Sequence, residues 1–107
     1  MEVHIYKSDR AGKKYKIVLK YDDGKTKTIH IGQAGADDFT THGDEARKKR
    51  YLDRHRKREN WTKSGITTAG YWSRWLTWNK PTLSASINDI EKRFNIDIKK
   101  IETDFKN

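Results

Sequence analysis

The sequence predicts an α+β domain: a small antiparallel sheet built on an N-terminal β-hairpin, with about three helices packed on one face. Three observations predict it. Apolar residues alternate with basic ones up to Ile31, which is the two-residue period of a half-buried strand. Beyond Asp44 the apolar residues recur at helical spacing, most cleanly as Leu83, Ile87, Ile90 and Phe94. The length of 107 residues suits a single domain. That domain divides into a hairpin region over 1–32, a helical region over 44–94 and a short strand or tail over 95–107.

Val3–Tyr6 reads as a short strand, and Lys7–Lys13, with Asp9 and Gly12, as a turn. Tyr15, Ile17, Leu19 and Tyr21 then alternate with Lys14, Lys16, Val18 and Lys20, giving a strand with a basic outer face. Asp22-Asp23-Gly24 leads into a second strand over Lys25–Ile31. A two-residue turn would split the apolar faces. A three-residue turn with Gly24 in the left-handed region sets Ile17 opposite Ile29 and Tyr15 opposite Ile31, so the three-residue form is expected. Gly32–Gly43 reads as loop. Asp44 suits an N-cap for a helix over Glu45–Glu59, whose apolar stripe is only Ala46, Tyr51, Leu52 and His55. Trp61–Ala69 is a polar connector. Tyr71–Asn79 is a short helix with Tyr71, Trp72, Trp75, Leu76 and Trp78 on one arc, Ser73, Arg74 and Thr77 opposite, and Pro81 ending it. Thr82 or Ser84 caps the third helix, and Ile96 and Ile98 suggest a closing strand. Ile101 and Phe105 are too sparse to assign.

Composition narrows the function. About 33% of residues are hydrophobic and 36% charged, so the core must be thin and its four Trp, five Tyr and three Phe must supply much of the buried area. With no Cys there is no disulfide framework and no thiolate metal site. No apolar run approaches the roughly 20 residues that span a bilayer, and Met1-Glu2-Val3-His4 does not begin like a secretory signal, so a soluble intracellular protein with no membrane association is expected. The net charge is +9, and residues 44–80 carry +7 of it. A clustered positive field attracts phosphate and gathers counterions that binding releases.

The basic helix is the strongest chemical signal. Eight of the twelve residues from Arg47 to Arg58 are Lys or Arg, so the helix must lie at the surface. Arg47, Lys48, Arg50, Arg54, Lys57 and Arg58 are the expected phosphate contacts. Arg50, Arg54 and Arg58 form an i, i+4 ladder suited to bidentate binding. Lys63, Arg74 and Lys80 extend the field. Trp61 and Trp78, nearest the polar segments, are candidates for stacking on bases, whereas Trp72 and Trp75 belong in the core. The strand lysines read mainly as guards against edge-to-edge aggregation, with auxiliary phosphate contact from Lys14 and Lys16.

These residues lead to a non-enzymatic, largely sequence-independent nucleic-acid-binding or condensing protein with no cofactor. Two alternatives stand behind it. One is a scaffold protein that docks an acidic protein partner by the same face. The other is a metal-dependent nuclease using His30, Asp37, Asp38, His42, Asp44 and His55. Against the last, His-Glu-x-x-His spacing and a glycine-rich phosphate loop are both missing, and Asp-Asp in a Gly-containing loop is ordinary turn and capping chemistry. The pattern encodes neither strandedness nor oligomeric state.

A longer pattern adds to this reading. It runs through Ile29-His30-Ile31-Gly32, Gly35, Asp38-Phe39-Thr40, His42, Arg47–Arg58 and Glu59-Asn60-Trp61-Thr62. It continues through Ala69-Gly70-Tyr71, then Trp72-Ser73-Arg74-Trp75-Leu76-Thr77-Trp78-Asn79-Lys80-Pro81-Thr82, and on to Ile87, Asp89-Ile90 and Lys92-Arg93-Phe94-Asn95-Ile96. It resembles an uncharacterised family of small basic proteins encoded by large double-stranded DNA viruses of eukaryotes (nucleocytoplasmic large DNA viruses). The resemblance implies action in infected cells, in the nucleus or a cytoplasmic viral factory, and in virions; it places viral DNA ahead of RNA as the target and makes the alternative a virion or scaffold protein. It implies no catalytic residue.

Overall fold

The computed structural model describes residues 1–100. Strands β1 (Glu2–Lys7), β2 (Lys13–Lys20), β3 (Thr26–Gln33) and β4 (Asp97–Lys100) form one sheet in the order β3-β2-β1-β4. The β2–β3 register is the expected one, with Tyr15 opposite Ile31 and Ile17 opposite Ile29. The turn is the three-residue form. Tyr21 N–H donates to the Lys25 carbonyl at 2.9 Å and Gly24 N–H to the Tyr21 carbonyl at 3.0 Å, with Gly24 at φ +89°.

The sheet is not wholly antiparallel. β4 runs parallel to β1, with Ile98 opposite Val3. The alternation of Ile96 and Ile98 marks a strand but carries no direction. Direction is decided by helix α4 (Leu83–Phe94), which ends at Asn95 in the left-handed region at φ +53° and delivers the chain alongside β1. Ile101 and Phe105 lie outside the described residues.

Val3, Ile5, Ile17, Leu19, Ile29 and Ile31 line the inner face of the sheet. Against them pack Tyr71, Trp72, Trp75 and Leu76 from the tryptophan segment and Leu83, Ile87 and Ile90 from α4. Trp72 and Trp75 are buried, as expected. Thr82 caps α4 by accepting from Ala85 N–H at 3.1 Å.

The helices differ from expectation in three places. The loop over Gly32–Gly43 contains a short helix, α1 (Phe39–His42), nucleated by Asp38 in a reciprocal capping box with Thr41. Helix α2 (Glu45–His55) starts at Asp44 as expected but stops four residues early. Past His55 no apolar side chain faces the protein to hold another turn, and Glu59 turns instead toward Trp61, whose indole N–H it accepts at 3.2 Å. Helix α3 (Ala69–Trp72) begins two residues early, capped by Thr68, and widens into a π turn over Ser73–Thr77. That turn closes with Trp78 N–H donating to the Ser73 carbonyl at 3.0 Å, before Pro81 is reached. Its extra residue rotates Thr77 off the solvent side and into the protein, where it is 2% exposed. Among the described residues no helix is long and apolar enough to cross a membrane.

Candidate nucleic-acid interface

Helix α2 is held from its inner side by two residues. Tyr51 is buried outside the main core and stacks on Trp78 with ring centres 4.5 Å apart and planes 3° apart. His55 lies over its other face at 4.3 Å, and His42 meets Trp78 at 5.3 Å, so four rings form a column beneath the helix. Burial holds the Tyr51 hydroxyl far above its ordinary pKa, so it stays protonated. The second anchor is Lys48. Its ammonium donates to the Asn79 carbonyl at 2.7 Å and sits 4.8 Å from the centre of the Phe39 ring. Burial first, and then repulsion from Arg74, lowers its pKa. Asn79 is fixed in turn by donating to Asp89 at 2.7 Å, and Arg93 grips the same carboxylate at 3.1 Å. Burial works against the charge on Asp89. Hydrogen bonds from Arg93 and Asn79 outweigh it and hold the carboxyl below its usual range.

The outer side of α2 is different. Arg50 and Arg54 are exposed and, like that of Arg47, their side chains form no hydrogen bond or ion pair among the described residues. The same holds for the side chains of Arg56 and Lys57, which follow the helix. Arg58 sits in the turn after the helix, 3.5 Å from His55 Nδ1, so the expected three-step ladder is two helical steps, Arg50 and Arg54, and then a bend. Lys49 is paired with Asp53 at 2.9 Å. Lys63 and Lys80 are exposed, and Lys80 lies near enough to Lys48 to oppose its charge.

The tryptophan segment uses its cation internally. Arg74 lies 4.1 Å from the Trp75 ring centre and 5.6 Å from that of Trp61, and donates to the Trp78 carbonyl at 3.0 Å. Arg93 sits 4.5 Å from the Trp75 ring centre, so two guanidiniums contact one indole. Burial, then repulsion from Arg93, lowers the Arg74 pKa, although a guanidinium remains charged. Trp61 and Trp78 are each half-buried. Of the strand lysines, Lys14 is paired with Asp38 at 2.9 Å and Lys16 with Asp9 at 3.4 Å.

A cleft of about 370 Å³ opens where the end of β3, α2 and α3 meet. Arg54, His55, Tyr51 and Trp78 face it from the α2 side, and Lys14, Gln33, Asp37 and Asp38 from the sheet side. Glu59 also lines it, with its carboxylate 3.4 Å from His55 Nδ1. A Cβ on Gly70 would stand 2.7 Å from that carboxylate, so the glycine leaves room for Glu59 against the first turn of α3. Sequence reasoning missed this constellation. The i, i+4 spacing of Tyr51, His55 and Glu59 was its one readable trace, because Gln33 and Asp38 join it only through the fold.

Of the six residues tied to nuclease chemistry, Asp37, Asp38 and His55 line this cleft, whereas His30, His42 and Asp44 lie outside its lining. His30 Nδ1 bonds with Ser8 Oγ at 2.8 Å, Asp38 caps α1 and pairs with Lys14, and His42 Nδ1 accepts from Asp44 N–H at 2.8 Å. Asp44 caps α2. Among the described residues no group of three or more His, Cys, Asp or Glu is placed to hold a metal ion.

Residues 3–55 match the model of a family of unknown function, DUF5754. The matched stretch covers β1 to the end of α2 and stops before the tryptophan segment, and the chain is similar to that family over those residues. No curated protein and no solved structure matches the chain.

Proposed function

We propose that this protein is a non-enzymatic, largely sequence-independent nucleic-acid-binding protein that binds or condenses viral DNA through the outer side of α2. On the resemblance to proteins of large DNA viruses, it acts in the nucleus or cytoplasmic factory of the infected cell and in the virion. The observation that carries this reading is the division of cations along one helix. Lys48 is turned inward and committed to a carbonyl, which fixes the helix. Among the described residues the side chains of Arg47, Arg50 and Arg54 are left without a hydrogen bond or ion pair. Guanidiniums on a rigid helix suit bidentate phosphate contact, and they neutralise charge whatever the base sequence.

The test is salt dependence. About six phosphate contacts give a log–log slope of about −5 for affinity against salt on duplex DNA. The combined variant Arg50→Glu, Arg54→Glu, Arg58→Glu abolishes measurable binding at moderate salt. Affinity indifferent to salt, or undiminished in that variant, overturns the reading. A complex with an acidic protein that survives nuclease, with no DNA affinity beside it, assigns the same surface to a protein partner.

A further inference from the structure

We propose that the cleft at the foot of α2 receives one unpaired nucleobase while the adjoining phosphates lie on the arginine ridge. The inference rests on the nucleic-acid reading above and adds to it a target: single-stranded or locally opened DNA rather than intact duplex.

The size of the cleft comes first. At about 370 Å³ it lies at the small end of the range for ligand sites and has room for one nucleoside. Its charge comes second. Two cations, Lys14 and Arg54, face three carboxylates, Asp37, Asp38 and Glu59, and Lys14 is already paired with Asp38 at 2.9 Å. A phosphate inside would meet net negative charge, whereas the ridge outside is strongly positive. Arg54 belongs to both, so one nucleotide can place its phosphate on the ridge and its base within.

The lining supplies the recognition. Tyr51, His55 and Trp78 make an aromatic wall. Carboxylate oxygens of Glu59 and Asp37 accept hydrogen bonds of the kind that exocyclic amino groups donate, and the exposed Gln33 amide offers both donor and acceptor. A base inside a duplex cannot reach such a cleft without leaving the stack. Opening it costs least in single strands, mismatches and abasic neighbourhoods, so the cleft selects for those.

The experiment uses the full chain and two probes that share a phosphate: deoxyadenosine monophosphate and deoxyribose 5-phosphate. Millimolar nucleotide shifts the NMR signals of Gly70, Ser73 and the Trp78 indole, and the base-free sugar phosphate does not. In parallel, a single-stranded oligodeoxynucleotide binds about tenfold tighter than a blunt duplex of equal phosphate number, in line with the stacking of one base. Glu59→Gln removes most of that preference, while Arg50→Ala, on the ridge, weakens both substrates alike. Equal shifts from both probes, no shift from the nucleotide, or equal affinity for single strand and duplex overturns the base cleft. Each of those outcomes leaves phosphate binding by α2 intact. Loss of salt-dependent binding altogether overturns the underlying reading instead.

Discussion

Helix α2 and the tryptophan segment both place arginines beside large aromatic rings, and in the sequence both look like surfaces for nucleic acid. The structure sorts them in opposite directions. In the tryptophan segment Arg74 sits against Trp75 and Trp61 and gives a hydrogen bond to the Trp78 carbonyl. In α2 the ring, Tyr51, faces inward and stacks on Trp78, while the Arg50 and Arg54 side chains are exposed with no hydrogen bond or ion pair among the described residues. A cation is available to a ligand only where no ring face or carbonyl of its own chain already holds it. Composition cannot report that, because it counts Arg74 and Arg54 alike.

The sharpest way to break this contrast is Trp72→Ala. Trp72 is fully buried and its indole N–H donates to the Ile66 carbonyl at 2.7 Å, so the change should cost about 3–5 kcal/mol in denaturant unfolding. A loss below about 1 kcal/mol would mean that the segment is not core at all. A milder effect is expected from Lys48→Ala, which removes a charge-assisted hydrogen bond. Its cost should be about 1.5 kcal/mol, near the low end because Lys48 is half-exposed. Arg54→Ala should leave stability within about 0.5 kcal/mol and lower DNA affinity instead. If the two variants change stability and affinity in the same proportion, the inner and outer sides of α2 are not distinct. The most local effect belongs to Asp44→Ala. Loss of the cap to Ala46 and Arg47 should cost about 1 kcal/mol, seen as faster amide exchange in the first turn of α2.

Local patterns in the sequence carried much of the fold. The β2–β3 register followed from the requirement that Ile17, Ile29, Tyr15 and Ile31 share a face, which leaves one turn length. The Asp44 and Thr82 caps and the α4 stripe were equally legible, because each depends on neighbours within a turn or two. The early end of α2 was not, since Lys and Arg favour helix and only the lack of an inward contact past His55 stops it. The π turn at Ser73–Thr77 escaped for a related reason. A helical wheel assumes constant pitch, and burial of Thr77 comes from one extra residue in the turn. Of the candidate site, the arginine ridge was visible as a charge run, but the cleft beside it was not.

What the sequence determined by itself was the class of fold, the hairpin register and the surface position of a helix too basic to bury. Each rests on periodicity or charge within a short window. The tertiary structure decided the parallel direction of β4, which cations stay free, and the meeting of Gln33, Asp38, Tyr51, Arg54 and Glu59 around one cleft. Those depend on contacts between residues far apart in the chain, where packing and hydrogen bonding choose among arrangements that local propensity leaves equal.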